Sequence, residues 1–212
     1  MIRTRRRSEI PFKLLSVLLR YPDERLVGAR DEIAAAVEAL PRTPQRGALE
    51  QFLAYLAAND QSELEQRYVE TFDLRRRSGM YLTYYVHGDT RKRGMALLSL
   101  KRLYAAAGLE LLSGELPDYL PLVLEFAALA PSGAGETLLR EYRPSLELLR
   151  ANLRDGGSPY ADLLDALCDG LPRLSAVERE HVRKLAEAGP PEEQVGLQPF
   201  APPEVMPTEA RV

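Results

Sequence analysis

The chain has 212 residues, 45% of them apolar and 28% charged, with a formal net charge of −3. That length suits one domain able to bury its own core, and the slight acidic excess provides no global positive field to draw in nucleic acid. Cys168 is the only cysteine, so an internal disulfide is excluded. No run approaches the roughly 18 apolar residues of a membrane span. The stretch from Pro11 to Leu19 is too short, and too interrupted by Lys13 and Ser16, for a signal-peptide core. A cytoplasmic protein without membrane insertion is expected.

In chain order the periodicity is helical throughout. Leu26, Ile33, Val37 and Leu40 recur near the helical repeat, as do Leu49, Phe52, Leu53 and Leu56. Ser62 and Glu65 have the spacing of a capping box, after which Leu64, Tyr68 and Phe72 share one face. A loop with Arg75 to Gly79 follows. The aromatic run Tyr81 to Val86 reads as helix or turn, with a short extended segment as its rival. Asp89 is expected to cap a long helix striped by Leu97, Leu100 and Tyr104 and stopped at Gly108. Asp118 is expected to cap the next, with Pro121 in its first turn, Leu122, Phe126 and Leu129 inward, and Pro131 closing it. Pro144 predicts a break in the pattern Leu138, Tyr142, Leu149, Leu153. Ser158-Pro159 and Ser175-x-x-Glu178 read as two further helix starts. The reading is all-α, a single globular helical bundle over 1–188 with residues 1–9 frayed. The six prolines after Gly189 make 189–212 a flexible tail.

Catalysis finds little support. Only His87 and His181 exist, the first in a loop and the second on a charged helix face. The sequence has no HExxH, no phosphate loop and no Cys/His metal spacing. Ser62 and Ser175 are explained as caps, and Cys168, among Leu163, Leu164 and Leu167, as a buried inert thiol. The chain reads as neither an enzyme nor a stable holder of metal or cofactor.

Two segments stand out. Arg91, Lys92 and Arg93 occupy the first turn of a helix, where the macrodipole disfavours cations by roughly 0.3–1 kcal/mol each when exposed. Asp73, Asp118 or an acidic ligand should compensate. In Glu115 to Phe126 and the turn that follows, the residues Asp118, Leu122, Glu125 and Leu129 fall near one helix face. Such an acidic and apolar stripe suits a basic amphipathic partner helix. An ordinary capped surface helix fits the same spacing.

Together these segments resemble the NarJ family of nitrate reductase assembly chaperones, within the TorD/DmsD group of molybdoenzyme chaperones. The residues that carry the likeness are Phe12 to Ser16 with Arg20-Tyr21-Pro22, Tyr68 to Asp73, Tyr81-Leu82-Thr83, Gly88 to Gly94 with Ala96-Leu97, Tyr104, Gly108, Glu115 to Pro121, and Leu124-Glu125-Phe126. They span about residues 11 to 170 in the family's order and spacing.

The resemblance implies a TorD/NarJ-like helical bundle. Its role would be to bind the N-terminal peptide of the nitrate reductase catalytic (alpha) subunit while molybdenum cofactor is inserted into that client, with cofactor-delivery proteins as further partners. It also implies a peptide-binding role for the segment holding Glu115, Asp118, Tyr119, Leu122, Glu125 and Phe126. Tyr81, Arg91 and Arg93 are a second set of candidate groove or ligand contacts. The rival readings are a proofreader of twin-arginine signal peptides for another molybdoenzyme and, from a different class, a helical regulator binding nucleic acid through Arg75 to Arg77 and Arg91 to Arg93.

Overall fold

The computed structural model describes residues 11–112, 114–130 and 133–188. The expected frayed start and proline-rich tail, and Pro131, lie outside them. Twelve α-helices are described: α1 (Phe12–Leu18), α2 (Glu24–Gly28), α3 (Arg30–Glu38), α4 (Pro44–Ala58), α5 (Gln61–Tyr68), α6 (Leu82–His87), α7 (Arg91–Ala106), α8 (Leu120–Leu129), α9 (Ala134–Glu141), α10 (Arg143–Asp155), α11 (Ala161–Gly170) and α12 (Ala176–Ala188). The all-α expectation holds: among the described residues the only β feature is one bridge, between Tyr81 and Tyr119.

Local capping sets the starts of α2, α4, α5 and α12. Asp23 and Thr43 accept from the backbone N–H groups of Leu26 and Arg46, and Pro44 sits where a missing N–H does no harm. The capping box of α5 belongs to Asp60 and Glu63 rather than to Ser62 and Glu65. An aspartate two residues upstream takes the cap and leaves Ser62 inside the first turn. Ser175 and Glu178 do form the expected box at α12, with Glu178 N donating to Ser175 Oγ at 3.2 Å and Ser175 N to Glu178 Oε2 at 2.6 Å. Ser158 is not a cap. The helix starts three residues later, and the Ser158 hydroxyl turns inward to lie 3.4 Å from that of Thr71. Pro144 breaks the chain between α9 and α10 as expected.

The core is continuous from α1 to α11. At its centre Phe52 of α4, Tyr68 at the end of α5, Phe72 of the π-helical turn Val69–Asp73 and Tyr160 ahead of α11 pack with ring centroids 4.8–5.8 Å apart. Such offset and edge-on pairs add to the stabilisation from burial. Helix α8 packs along α1, and Ser16 Oγ donates to Pro121 O at 2.8 Å. Helices α8 and α9 approach closely because Gly135 has no side chain: a Cβ there would come within 2.5 Å of Ala127 Cβ. Gly108, at φ +75°, ends α7 in the left-handed conformation that glycine adopts without strain.

Candidate functional site

Helix α6 begins without a capping side chain of its own. Its first N–H groups are buried, and such groups need partners. They find them in the segment before α8. Leu82 N donates to Asp118 O at 3.1 Å, and Thr83 N to Asp118 Oδ2 at 3.1 Å. The Thr83 hydroxyl also donates to that oxygen at 2.5 Å. Asp118 is therefore fully buried and caps α6, not α8, whose N-cap is Tyr119. This corrects the expected outer stripe: Asp118 does not share an exposed face with Leu122, Glu125 and Leu129. The surrounding backbone is locked as well, with Leu120 N donating to Met80 O at 2.8 Å and Tyr104 Oη to Pro117 O at 2.6 Å.

Above this anchor lies a cleft of about 580 Å³ between α8, the end of α1 and the loop after α7. Phe126 and Tyr104, 4.6 Å apart between ring centroids, form its floor, with Leu122 and Tyr119 beside them. Tyr119 is held from both sides. Its ring packs on Tyr81 at 5.5 Å, and its hydroxyl lies 3.1 Å from that of Tyr68. Tyr81 Oη in turn donates to Glu115 Oε1 at 3.1 Å. Burial, followed by the Glu115 charge, pushes the Tyr81 hydroxyl up to about 12, so at neutral pH it remains a donor.

On the opposite rim Glu125 accepts from Lys13 Nζ at 2.5 Å and from Arg20 at 2.7 Å. The Lys13 hydrogen bond is the main cause holding its carboxyl below the usual glutamate range. Leu112, 93% exposed, and Leu129, which is exposed at the end of α8 and does not face inward as its spacing predicts, stand at the mouth.

Five of the six sequence-predicted residues, Glu115, Tyr119, Leu122, Glu125 and Phe126, thus line one cleft, and Asp118 supports it from beneath. Sequence reasoning missed the other wall: Arg20 and the loop residues Glu110, Leu111 and Leu112. An apolar pair between Gly108 and Gly114, outside any helical stripe, was the available signal.

The second candidate set divides. Tyr81 buttresses the cleft through Glu115 and Tyr119. Arg93 turns away from it, donating through Nε to Thr83 Oγ1 at 3.3 Å, pairing with Asp89 at 2.9 Å and lying over the Tyr84 ring at 5.7 Å. Arg91 is exposed on α7. Thr90, not Asp89, is the N-cap of α7, and Asp89 is the carboxylate that compensates its first turn, with Arg76 also 3.7 Å away. Asp73 and Asp118 do not fill that role among the described residues. Burial pushes the Cys168 thiol up to about 12, which makes it unreactive. Among the described residues no cluster of His, Cys, Asp and Glu is suited to a metal ion.

The family model described as nitrate reductase delta subunit matches residues 38–166. The chain belongs to that family. Its relatives include the nitrate reductase molybdenum cofactor assembly chaperone NarJ of Escherichia coli (strain K12), 38% identical over 160 residues that cover 74% of this chain and 68% of that one. NarJ of Bacillus subtilis (strain 168) is 36% identical over 179 residues, covering 84% of this chain and 94% of its own length. The nitrate reductase-like protein NarX of Mycobacterium tuberculosis is 38% identical over 160 residues, but this delta-family chain spans only 24% of it. A crystal structure of an Archaeoglobus fulgidus protein assigned to redox enzyme maturation shares the fold, with a TM-score of 0.59 and 22% identity over 80% of this chain and 96% of that one.

Proposed function

We propose that this delta-family protein is a dedicated chaperone of nitrate reductase. It holds the N-terminal region of the apo catalytic subunit in the α8 cleft while molybdenum cofactor enters that subunit and the complex assembles. The observation that carries the reading is the meeting of Glu115, Tyr119, Leu122, Glu125 and Phe126 in one mainly apolar cleft. A peptide helix needs an apolar floor for its anchors and polar groups at the rim to set register, and both are present. Names of the relatives point to assembly of the same enzyme. Cofactor is cargo for the client in this reading, and the chaperone's own task is recognition. No described helix is long and apolar enough to cross a membrane.

The carboxylates act as a secondary term. Glu125 already shares its charge with Lys13 and Arg20, so a basic client residue must exchange with them instead of meeting a free acid. Affinity should come mainly from apolar burial and be accompanied by a negative heat-capacity change. Calorimetry with a synthetic peptide of the catalytic subunit's N-terminus tests this. Binding with that sign is expected, and Leu122→Asp should weaken it at least about tenfold, because it places a charge on the apolar floor. A folded wild type that does not bind the peptide, but binds a twin-arginine signal peptide of another molybdoenzyme, would transfer the assignment to the proofreading alternative.

A further inference from the structure

Helix α7 buries one side only. Leu100 and Tyr104 face the core, whereas Arg91, Met95, Leu98 and Arg102 are exposed. Their spacings of four, three and four residues place these four within a narrow stripe opposite the buried side. Met95 is 64% exposed and Leu98 41%, and the glycine and alanine at 94 and 105 flank them with little side-chain bulk. The stripe therefore has an apolar centre that another helix can approach, with one arginine toward each end. Eleven residues at about 1.5 Å rise put those arginines roughly 16 Å apart.

Charge selects the partner. Arg91, Lys92, Arg93, Lys101 and Arg102 give α7 five cations and no acid, in a chain whose net charge is −3. Among the described residues only Arg93 of the five has an ion-pair partner, Asp89. From the Arg76–Ser78 turn Arg76 shares that carboxylate, at 3.7 Å.

We infer that the outer face of α7 is a second docking surface, separate from the α8 cleft, for an acidic amphipathic helix of another protein. Pairing of two copies of this chain through it is disfavoured, because the exposed Arg91, Lys92, Lys101 and Arg102 of one would face the same four cations of the other. Duplex nucleic acid is disfavoured by the acidic chain as a whole and by Asp89 amid the cations, and it gains nothing from Met95 and Leu98. A lipid surface would need more apolar side chains than these two to hold a helix whose other face is committed to the core. An acidic helix with leucines between two glutamates one stripe-length apart satisfies both the apolar centre and the basic ends. The cleft and this stripe lie on different sides of α7, since Tyr104 enters the cleft from the buried side. Both partners can be held at once, which places this protein between its client and a second, acidic component.

The test uses four fluorescent probes with the full chain. They are a helical peptide carrying Glu and Leu at the complementary spacing, the same peptide with Lys for Glu, a DNA duplex, and phosphatidylserine vesicles. The Glu peptide should bind in a salt-sensitive way and the other three weakly, with the cleft peptide bound at the same time. Leu98→Glu with Arg102→Glu should reduce Glu-peptide binding by about tenfold or more, a loss on the scale of an exposed ion pair plus a buried leucine. The variant should keep its circular dichroism and cleft-peptide affinity, yet fail to support nitrate reductase maturation in cells. Preference for duplex or vesicles, equal binding by variant and wild type, competition between the two peptides, or full maturation by the folded variant would each overturn the inference.

Discussion

Asp118 and Glu125 lie seven residues apart in one segment, and their surroundings give them opposite tasks. Asp118 is sealed beneath α8, where it supplies the N-terminus of α6 with the acceptor that helix lacks. Glu125 stands on the rim, where Lys13 and Arg20 of the neighbouring element compete for it with solvent. A buried acceptor to a helix start contributes to stability, whereas an exposed pair can be exchanged at little cost. The lower region is therefore a fixed frame and the upper one a surface that can accept a partner.

The largest expected effect is in the frame. Phe126→Ala should cost about 3–5 kcal/mol in urea unfolding, because it empties an aromatic-sized space against Tyr104. A loss under about 1 kcal/mol would mean that the floor collapses readily and is not rigid. Asp118→Ala should cost about 2–3 kcal/mol, leaving buried donors of Thr83 unmet. Asp118→Asn should retain roughly half of that contribution, since its amide oxygen can still accept. Equal stability of wild type and Asp118→Asn would show that the charge adds nothing to the cap.

Gly135→Ala should cost about 1–3 kcal/mol by forcing α8 from α9, detectable as a lowered urea midpoint. Its sharper consequence is weaker client-peptide binding, as α8 carries one wall of the cleft; an unchanged affinity would detach the cleft's shape from this packing.

The smallest effect belongs to the rim. Glu125→Gln should alter stability by less than about 1 kcal/mol at neutral pH. Because the folded protein holds Glu125 below its usual range, its contribution is present above the unfolded value of about 4.3 and is lost as pH falls through the lower folded value. Melting curves of wild type and variant should therefore differ slightly near neutrality and converge in acid. Divergence on acidification would reverse the assigned sign.

The sequence revealed what depends on neighbours along the chain. Helical spacing exposed the all-α class, Pro144 the break between α9 and α10, and Ser175 with Glu178 a cap that formed as expected. It misplaced features decided by residues far apart. Nothing around Asp118 shows that α6, 35 residues earlier, lacks a cap of its own. Ser158 reads as a cap until Thr71 of the π-helical turn meets its hydroxyl. The cleft was half legible for the same reason: α8 carries five of its residues in one run, while Arg20 and Leu111–Leu112 come from two other parts of the chain.

Hydrogen exchange of the full chain, with and without the N-terminal peptide of the nitrate reductase catalytic subunit, shows whether the client sits in the α8 cleft. Client binding in the cleft should slow exchange in residues 109–126 and at the end of α1, with the outer turns of α7 and the Arg76–Ser78 turn unchanged. Protection confined to α7 or the Arg76–Ser78 turn, with the 109–126 segment exchanging as in the free protein, would contradict it.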